Sequence, residues 1–322
     1  MNTESTKSGS DKSPKSWRGA DVLHEGAIVE SVNGFDVIEC QICGFKHVIP
    51  IPTAEELEKA YKHEYYTREK PLYIERYLED QEWWNLVYAE RYDILECHLG
   101  AGRRRLLDVG SGPGLFLLNG RQRGWTVRGI EASNEAAAYS RESLGLDVIN
   151  DFLNEQTAPA LGRFDAVNMG EVLEHLPDPA SMLRLVHGCL DDGGLICLVV
   201  PNDFNPFQII LRDNLGYEPW WVAPPHHINY FDFDSLPQFV ERCGFQVIHE
   251  EATFPIDLFL MMGDNYVGNE SAGRECHAKR KHFELALQMA GRSNLKRKMY
   301  EAFANLGIGR EILMFARKAQ MG

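Results

Sequence analysis

Three groups of residues have types and spacings that chemistry could use. In LLDVGSGPGLFLLNG, residues 106–120, Asp108 precedes Gly110, Gly112 and Gly114 at alternate positions. In PPHHINYF, residues 224–231, His226 and His227 stand side by side among prolines. Cys40-x-x-Cys43 places two thiols one knuckle apart. A glycine turn between an apolar strand and a helix can wrap a nucleotide-like cofactor. An imidazole can take up a proton near neutral pH. Two cysteines at this spacing are half of a four-ligand zinc site.

The glycine turn can be narrowed by charge. The dinucleotide fingerprint needs G-x-G-x-x-G, and Leu115 stands where its third glycine would be. Asp108 would put a carboxylate beside a pyrophosphate in a partly desolvated cleft, which is unfavourable. A ligand with an ammonium and a sulfonium is attracted instead, and S-adenosylmethionine is such a ligand. Pro113 suits an early helix position, where a missing N–H costs nothing. Glu131, in VRGIEAS, can accept hydrogen bonds from both ribose hydroxyls. NAD makes the same demand, so Asp108, not Glu131, disfavours an NAD-dependent enzyme.

Positioning these groups requires a sheet. From residue 104 onward RLLDV, TVRGIEA, LDVIND, FDAVNMG and GGLICLVVP read as strands, and GLFLLNGRQRG, NEAAAYSRESLG and ASMLRLVHGCL read as helices. Such alternation predicts an α/β fold, a Rossmann-like doubly wound sheet. DSLPQFVERCG follows as a helix that buries Leu236, Phe239, Val240 and Cys243, then FQVIHEEA as a strand and REILMFARKA as a closing strand. The stretch between these two strands, 252–308, is expected to be a helical insertion within a domain spanning 101–322. Residues 1–18 read as a polar, disordered tail. Residues 19–100 read as a small module: a β-ribbon turning at Asn33-Gly34, a helix capped by Thr53 and Glu56, and aromatic-rich helices over 72–99.

Residues 104–201 resemble a class I S-adenosylmethionine-dependent methyltransferase through LLDVGSGPG, VRGIEAS, INDFLN, FDAVNMGEVLEHLPDP and LDDGGLICLVVPN. The resemblance implies that Asp108 and the loop Gly110, Ser111, Gly112 to Gly114 meet the methionine part. It implies that Glu131 holds the ribose, that Ala132 flanks the adenine, and that Asp151 and Phe152 border the adenine pocket. Gly170 and Glu171 would lie beside the methionine part. CQICGFKHVIPIPTAEELEKAYKHEYY resembles the N-terminal segment of the sugar C-methyltransferase group, which pairs a zinc-ribbon-like module with the methyltransferase domain. That group carries a Glu-His pair before an aromatic pair. Here His226 stands where glutamate is expected and His227 stands where the histidine is. His227 is therefore the expected general base, with His226 orienting it.

Other features carry plainer expectations. A closed zinc site needs two more ligands, and the sequence offers only His24 and His47 nearby, with no second C-x-x-C. The expectation is a metal-free relic of a ribbon, with no metal ligands assigned. His175 reads as structural, and Glu174 and Asp178 as acids favoured at a helix start. Tyr73, Tyr77, Trp83, Trp84, Tyr88 and Tyr92 read as packing residues, with one or two tyrosines reaching the cleft. The basic residues Arg274, Lys279, Arg280, Lys281, Arg292, Lys296, Arg297 and Lys298 offer either a phosphate site or solvated helix faces.

A formal charge of −14 discourages nucleic acid and anionic membranes as partners. Seven cysteines, an odd number, suit reduced thiols rather than a disulfide framework. No apolar run approaches the ~20 residues of a membrane span, and the N-terminus lacks a hydrophobic signal region; a cytoplasmic location is expected. The expectation is a methyltransferase that uses S-adenosylmethionine on a small polar acceptor, a nucleotide-linked sugar or glycan precursor. Its alternatives are an O-methyltransferase on another small metabolite and a non-catalytic S-adenosylmethionine-binding protein.

Overall fold

The computed structural model describes residues 14–19, 22–53, 56–57 and 73–319. Its N-terminal part is an antiparallel ribbon of β1 (Pro14–Gly19), β2 (Val22–Val32), β3 (Phe35–Cys40) and β4 (Phe45–Ile49). Asn33 and Gly34 both have positive φ, as a tight hairpin turn demands, so the turn falls where the sequence put it. β1 lies within the stretch expected as a disordered tail: from Pro14 onward the chain pairs along β2, which supplies its backbone with partners. The rest of that tail lies outside the described residues. Thr53 and Glu56 exchange the two hydrogen bonds of a capping box, and most of the helix they would start lies outside the described residues.

Two helices follow, α1 (Tyr73–Glu79) and α2 (Gln81–His98), and then the main sheet begins. Its elements are β5 (Arg105–Val109), α3 (Leu115–Gln122), β6 (Thr126–Ile130), α4 (Asn134–Glu142), β7 (Val148–Ile149), α5 (Ala158–Leu161) and β8 (Phe164–Gly170). They continue as α6 (Pro179–Cys189), β9 (Leu190–Pro201), α7 (Pro206–Leu215), β10 (Asn229–Tyr230), α8 (Ser235–Arg242) and β11 (Phe245–Ala252). α9 (Asp257–Met261), α10 (Glu270–Met289) and α11 (Ser293–Asn305) precede β12 (Glu311–Lys318). The seven strands run in the order β11-β12-β9-β8-β5-β6-β7. β5 to β9 are parallel, and β12 inserts antiparallel between β9 and β11.

Helices on both faces of this sheet bury both faces of its strands, which is why the strands read as nearly continuous apolar runs. Successive side chains alternate between faces. Leu107, Val109, Val167, Met169, Ile196 and Leu198 join α6 and α8 in one core. Leu106, Ala166, Leu195 and Cys197 join α2 and α3 in the other.

Two features depart from the sequence reading. Helix α3 starts at Leu115 with left-handed Gly114 as its N-cap, so Pro113 sits in the preceding turn rather than in the helix. A side chain at Gly114 would be strained, because its φ is +82° and a Cβ there would fall 2.7 Å from Leu146 Cδ1 and 2.8 Å from the Ser140 hydroxyl. PPHHINYF, placed in a loop by sequence, also contributes strand β10. β10 adds to β4, with Asn229 opposite His47, and thereby closes the ribbon as a five-stranded sheet. A two-residue strand leaves no periodicity to read.

The basic residues of the insertion are largely committed to carboxylates. Arg274 pairs with Glu270, Lys279 with Asp264, Arg280 with Glu284, Lys281 with Asp80, Lys296 with Glu90 and Arg297 with Glu251. Among the described residues, no helix is long and apolar enough to cross a membrane.

Candidate active site

β5 and β8 end side by side, and their C-terminal ends open a cavity of about 520 Å³. This is within the usual size of small-molecule sites. Asp108, Gly110, Ser111, Gly112, Glu131, Ala132, Asp151, Phe152, Gly170 and Glu171 all line it. Gly114 is not among the lining residues; it shapes the turn from behind, as the N-cap of α3. Gly110 and Gly112 both have positive φ, and a Cβ on Gly110 would lie 2.8 Å from Val172. The turn can therefore bring bare backbone to a ligand only because these residues are glycine.

Asp108 is buried, and the parallel register of β5 and β8 sets Asn168 beside it. Asn168 Nδ2 donates to Asp108 Oδ1 at 2.6 Å. Burial pushes the Asp108 carboxyl up to about 7; the Asn168 bond opposes the shift, negative Glu131 adds to it, and the Arg91 guanidinium opposes it. Glu131 is buried too. Its Oε2 accepts from the Gly112 N–H and its Oε1 from the Ser133 N–H, each at 2.7 Å. Burial raises its pKa and those N–H groups lower it. A carboxylate has about four lone-pair directions, so these two bonds leave it acceptor capacity for a hydroxyl.

Buried polar atoms rarely lack partners. Around this cavity Arg91 Nε, Ser111 Oγ and Asn168 Oδ1 have no hydrogen-bond partner among the described residues, nor does Glu174 Oε2. A donor-rich, acceptor-rich ligand such as S-adenosylmethionine fits that inventory. Asp108 and Glu131, which the sequence reading assigned to the methionine part and the ribose, line this cavity together with Arg91.

The cavity wall also has an aromatic part. Tyr73, Trp84 and Tyr88 line it, and Trp84 and Tyr88 stack with ring centroids 5.4 Å apart. A 3₁₀ turn, Leu173–His175, carries His175 into the lining. His175 Nδ1 lies 2.7 Å from the His226 carbonyl oxygen, and its Nε2 lies 3.5 Å from Glu174 Oε1. The His175 and His227 rings meet edge to face at 5.0 Å, and His227 Nδ1 is 4.0 Å from Asp203 Oδ2. Asp203 is buried and its carboxyl is pushed up to about 7, mainly by burial.

His175 lines the cavity; His226 and His227 are not among its lining residues, the His227 ring meeting that of His175 and the His226 carbonyl lying beside His175 Nδ1. Asp178 does cap α6, accepting from the Ser181 N–H, whereas Glu174 belongs to the preceding 3₁₀ turn and not to the start of α6. It is buried in the 3₁₀ turn, and that burial raises its pKa well above the usual carboxylate range. Sequence reasoning missed Arg91 and Asn168. Arg91 lies in a helix before the motif region, and Asn168 acquires its role only from strand register. His24, Cys40, Cys43 and His47 meet in the antiparallel ribbon.

Comparison with known proteins agrees with this geometry. The family model described as "Methyltransferase domain" matches residues 77–250, more than half of the chain. A ubiquinone biosynthesis O-methyltransferase of Pseudomonas aeruginosa (strain LESB58) is 34% identical over 117 residues, which is 35% of this chain and 50% of that protein. The enzyme of the same name from Azoarcus sp. (strain BH72) is 36% identical over 104 residues, 31% of this chain and 43% of that protein. The chain thus spans about half the length of the curated relatives it matches. Among solved structures, an S-adenosylmethionine-dependent methyltransferase from Archaeoglobus fulgidus is 16% identical with a TM-score of 0.46, covering 76% of this chain and 99% of that one. The glycine turn, the two carboxylates that flank it and the family match lead to one conclusion: the chain belongs to the methyltransferase family, and its core is a class I S-adenosylmethionine-dependent methyltransferase domain.

Proposed function

We propose that the cleft moves a methyl group to a hydroxyl oxygen of a small acceptor with a flat, apolar body, and that His175 Nε2 receives the hydroxyl proton. The observation that carries this reading is the position of His175 in the wall of a cavity that Tyr73, Trp84 and Tyr88 also line. S-adenosylmethionine, when bound, supplies an electrophilic methyl group on a sulfonium. The remaining work belongs to this chain's residues. Tyr73, Trp84 and Tyr88 offer apolar faces on which a ring can stack. A carbonyl only accepts, so the His226 oxygen holds the hydrogen on His175 Nδ1 and leaves Nε2 as the atom that takes a proton. His227, against the His175 ring, holds that imidazole in place and backs it with Asp203.

The names of the matched relatives, ubiquinone biosynthesis O-methyltransferases, support an oxygen acceptor. Charge weighs against a nucleotide-linked sugar. Among the described residues lining the cleft, Arg91 is the sole Arg or Lys, and it lies near both Asp108 and the Tyr88 ring, a single cation where a diphosphate would call for more. The insertion lends no cation to the lining either.

The test is S-adenosylhomocysteine formation with panels of hydroxylated aromatics and of nucleotide-linked sugars, followed by mass and NMR identification of the product. O-methylation of a hydroxylated ring is the expected result. Turnover on nucleotide-linked sugars alone would overturn the acceptor class. Cofactor binding without turnover on either panel would overturn the enzymatic reading.

A further inference from the structure

The ribbon brings four metal-binding side chains to one point. His24 comes from β2, Cys40 from β3, Cys43 from the turn after it and His47 from β4, and their ligand atoms all lie within 4.8 Å of one another. His24 Nδ1 is 3.3 Å from Cys43 Sγ, 3.8 Å from Cys40 Sγ and 3.1 Å from His47 Nε2. Zn–S bonds of about 2.3 Å and Zn–N bonds of about 2.0–2.1 Å at tetrahedral angles demand ligand separations of about 3.3–3.8 Å. The three distances match that demand to within a few tenths of an ångström.

The supporting shell points the same way. His47 Nδ1 lies 2.9 Å from the Val48 carbonyl oxygen. A carbonyl accepts, so Nδ1 carries the hydrogen and Nε2 turns its lone pair to the cluster, the arrangement that a ligating histidine needs. The Cys43 N–H points at Cys40 Sγ from 3.5 Å, and the Gly44 N–H donates to the Cys40 carbonyl at 2.9 Å. Gly44 has a φ of +76°, which lets the knuckle turn back on itself. Cys40 and His47 are buried, so a cation here is enclosed. Two thiolates and two imidazoles select zinc over magnesium or calcium, and two thiolates cancel its charge.

We propose that His24, Cys40, Cys43 and His47 form a closed, structural zinc site, binding one ion and releasing the two thiol protons. This replaces the metal-free ribbon expected from sequence. The site is built without a second C-x-x-C, because hairpin register delivers His24 and His47 to the positions such a pair would fill. It also bears on the cleft. Asn229 stands opposite His47 in the β4–β10 register and donates to the carbonyls of Leu173 and Leu176, each at 2.8 Å. The metal-bearing sheet therefore buttresses the turn that presents His175.

The test uses the full chain and does not depend on methyl transfer. Elemental analysis of protein purified without added metal should give about one zinc per chain. Replacing zinc with cobalt(II) should give tetrahedral d–d bands and a thiolate-to-cobalt charge-transfer band. Cys43→Ser and His24→Asn should lose the ion, whereas His24→Cys should keep it with a stronger charge-transfer band. Cys97→Ser, at an exposed cysteine outside the cluster, should change nothing. If the ribbon variants fail to fold, the wild-type cobalt spectrum decides by itself. Absence of zinc together with absence of a thiolate–cobalt band would overturn the proposal, as would full metal retention in folded Cys43→Ser or His24→Asn.

Discussion

His175 donates from Nδ1 to the carbonyl oxygen of His226 across 2.7 Å, and this bond fixes which ring nitrogen can work. It joins the turn after β8 to the loop before β10, two segments far apart in the chain. The orientation of the His175 ring is therefore set by backbone geometry as much as by the imidazole itself.

His175→Ala should lower turnover by about 10²–10⁴ while leaving S-adenosylmethionine affinity nearly intact. His227→Ala should lower turnover less, because His227 acts through the His175 ring rather than in the cleft wall. Turnover measured as S-adenosylhomocysteine release, paired with cofactor titration calorimetry, checks both. Equal losses in the two variants, or a loss confined to His227→Ala, would move the base to His227.

Asp108→Ala should weaken S-adenosylmethionine binding by at least about tenfold, roughly 1.4 kcal/mol, by removing the carboxylate at the cationic end. The pH dependence has a definite sign. The folded-state pKa of Asp108 is raised to about 7, so its contribution to the stability of the free protein is greatest at low pH and is lost as pH rises toward about 7. A cationic ligand prefers the charged carboxylate, so affinity should rise over the same window. Thermal shifts caused by S-adenosylmethionine should be larger at about pH 8 than at about pH 5.5, and a flat profile would remove Asp108 from the contact.

Arg91→Met should cost at least about tenfold in cofactor affinity, and Arg91→Lys most of that, because a point charge does not reproduce a planar fork on a carboxylate. Calorimetry on folded variants gives the answer. Unchanged affinity in both would assign Arg91 to packing on Tyr88, whose ring centre lies 5.6 Å away.

Glu284→Ala should destabilise the fold by about 3 kcal/mol, measured by urea unfolding. Glu284 is buried, and it accepts from Trp83 Nε1 of α2 and from the Tyr300 hydroxyl of α11. Its removal strands two buried donors and leaves Arg280 without its carboxylate. Glu284→Gln, which keeps the acceptor oxygen, should cost less. Cofactor affinity should not change in either variant, since this network fastens the insertion to α2 and does not line the cleft.

Legibility from sequence followed the range of the interactions. The strand–turn–helix with its glycines was readable because three local requirements coincide there: an apolar strand, positive φ and an acid at the strand end. Thr53 with Glu56, Asn33-Gly34 and Asp178 were readable for the same reason. Glu174 was misread because its environment is made by elements that pack over it, not by its neighbours in the chain. Arg91 was invisible because nothing within α2 distinguishes a helical arginine that faces solvent from one that faces a cavity. The basic insertion left a phosphate site and solvated helix faces both open in sequence, and folding instead set carboxylates, among them Glu90 of α2 and Glu251 of β11, against it.

The sequence by itself determined the class of fold, the cofactor turn and the two carboxylates that flank it, since periodicity, glycine and charge act over a few residues. Only the tertiary structure decided that His175 stands in the cleft with His227 behind it, that Asn168 meets Asp108, and that His24 and His47 join the cysteine knuckle. Each of these depends on strand register or on the packing of distant segments, which are outcomes of global burial rather than of any local pattern.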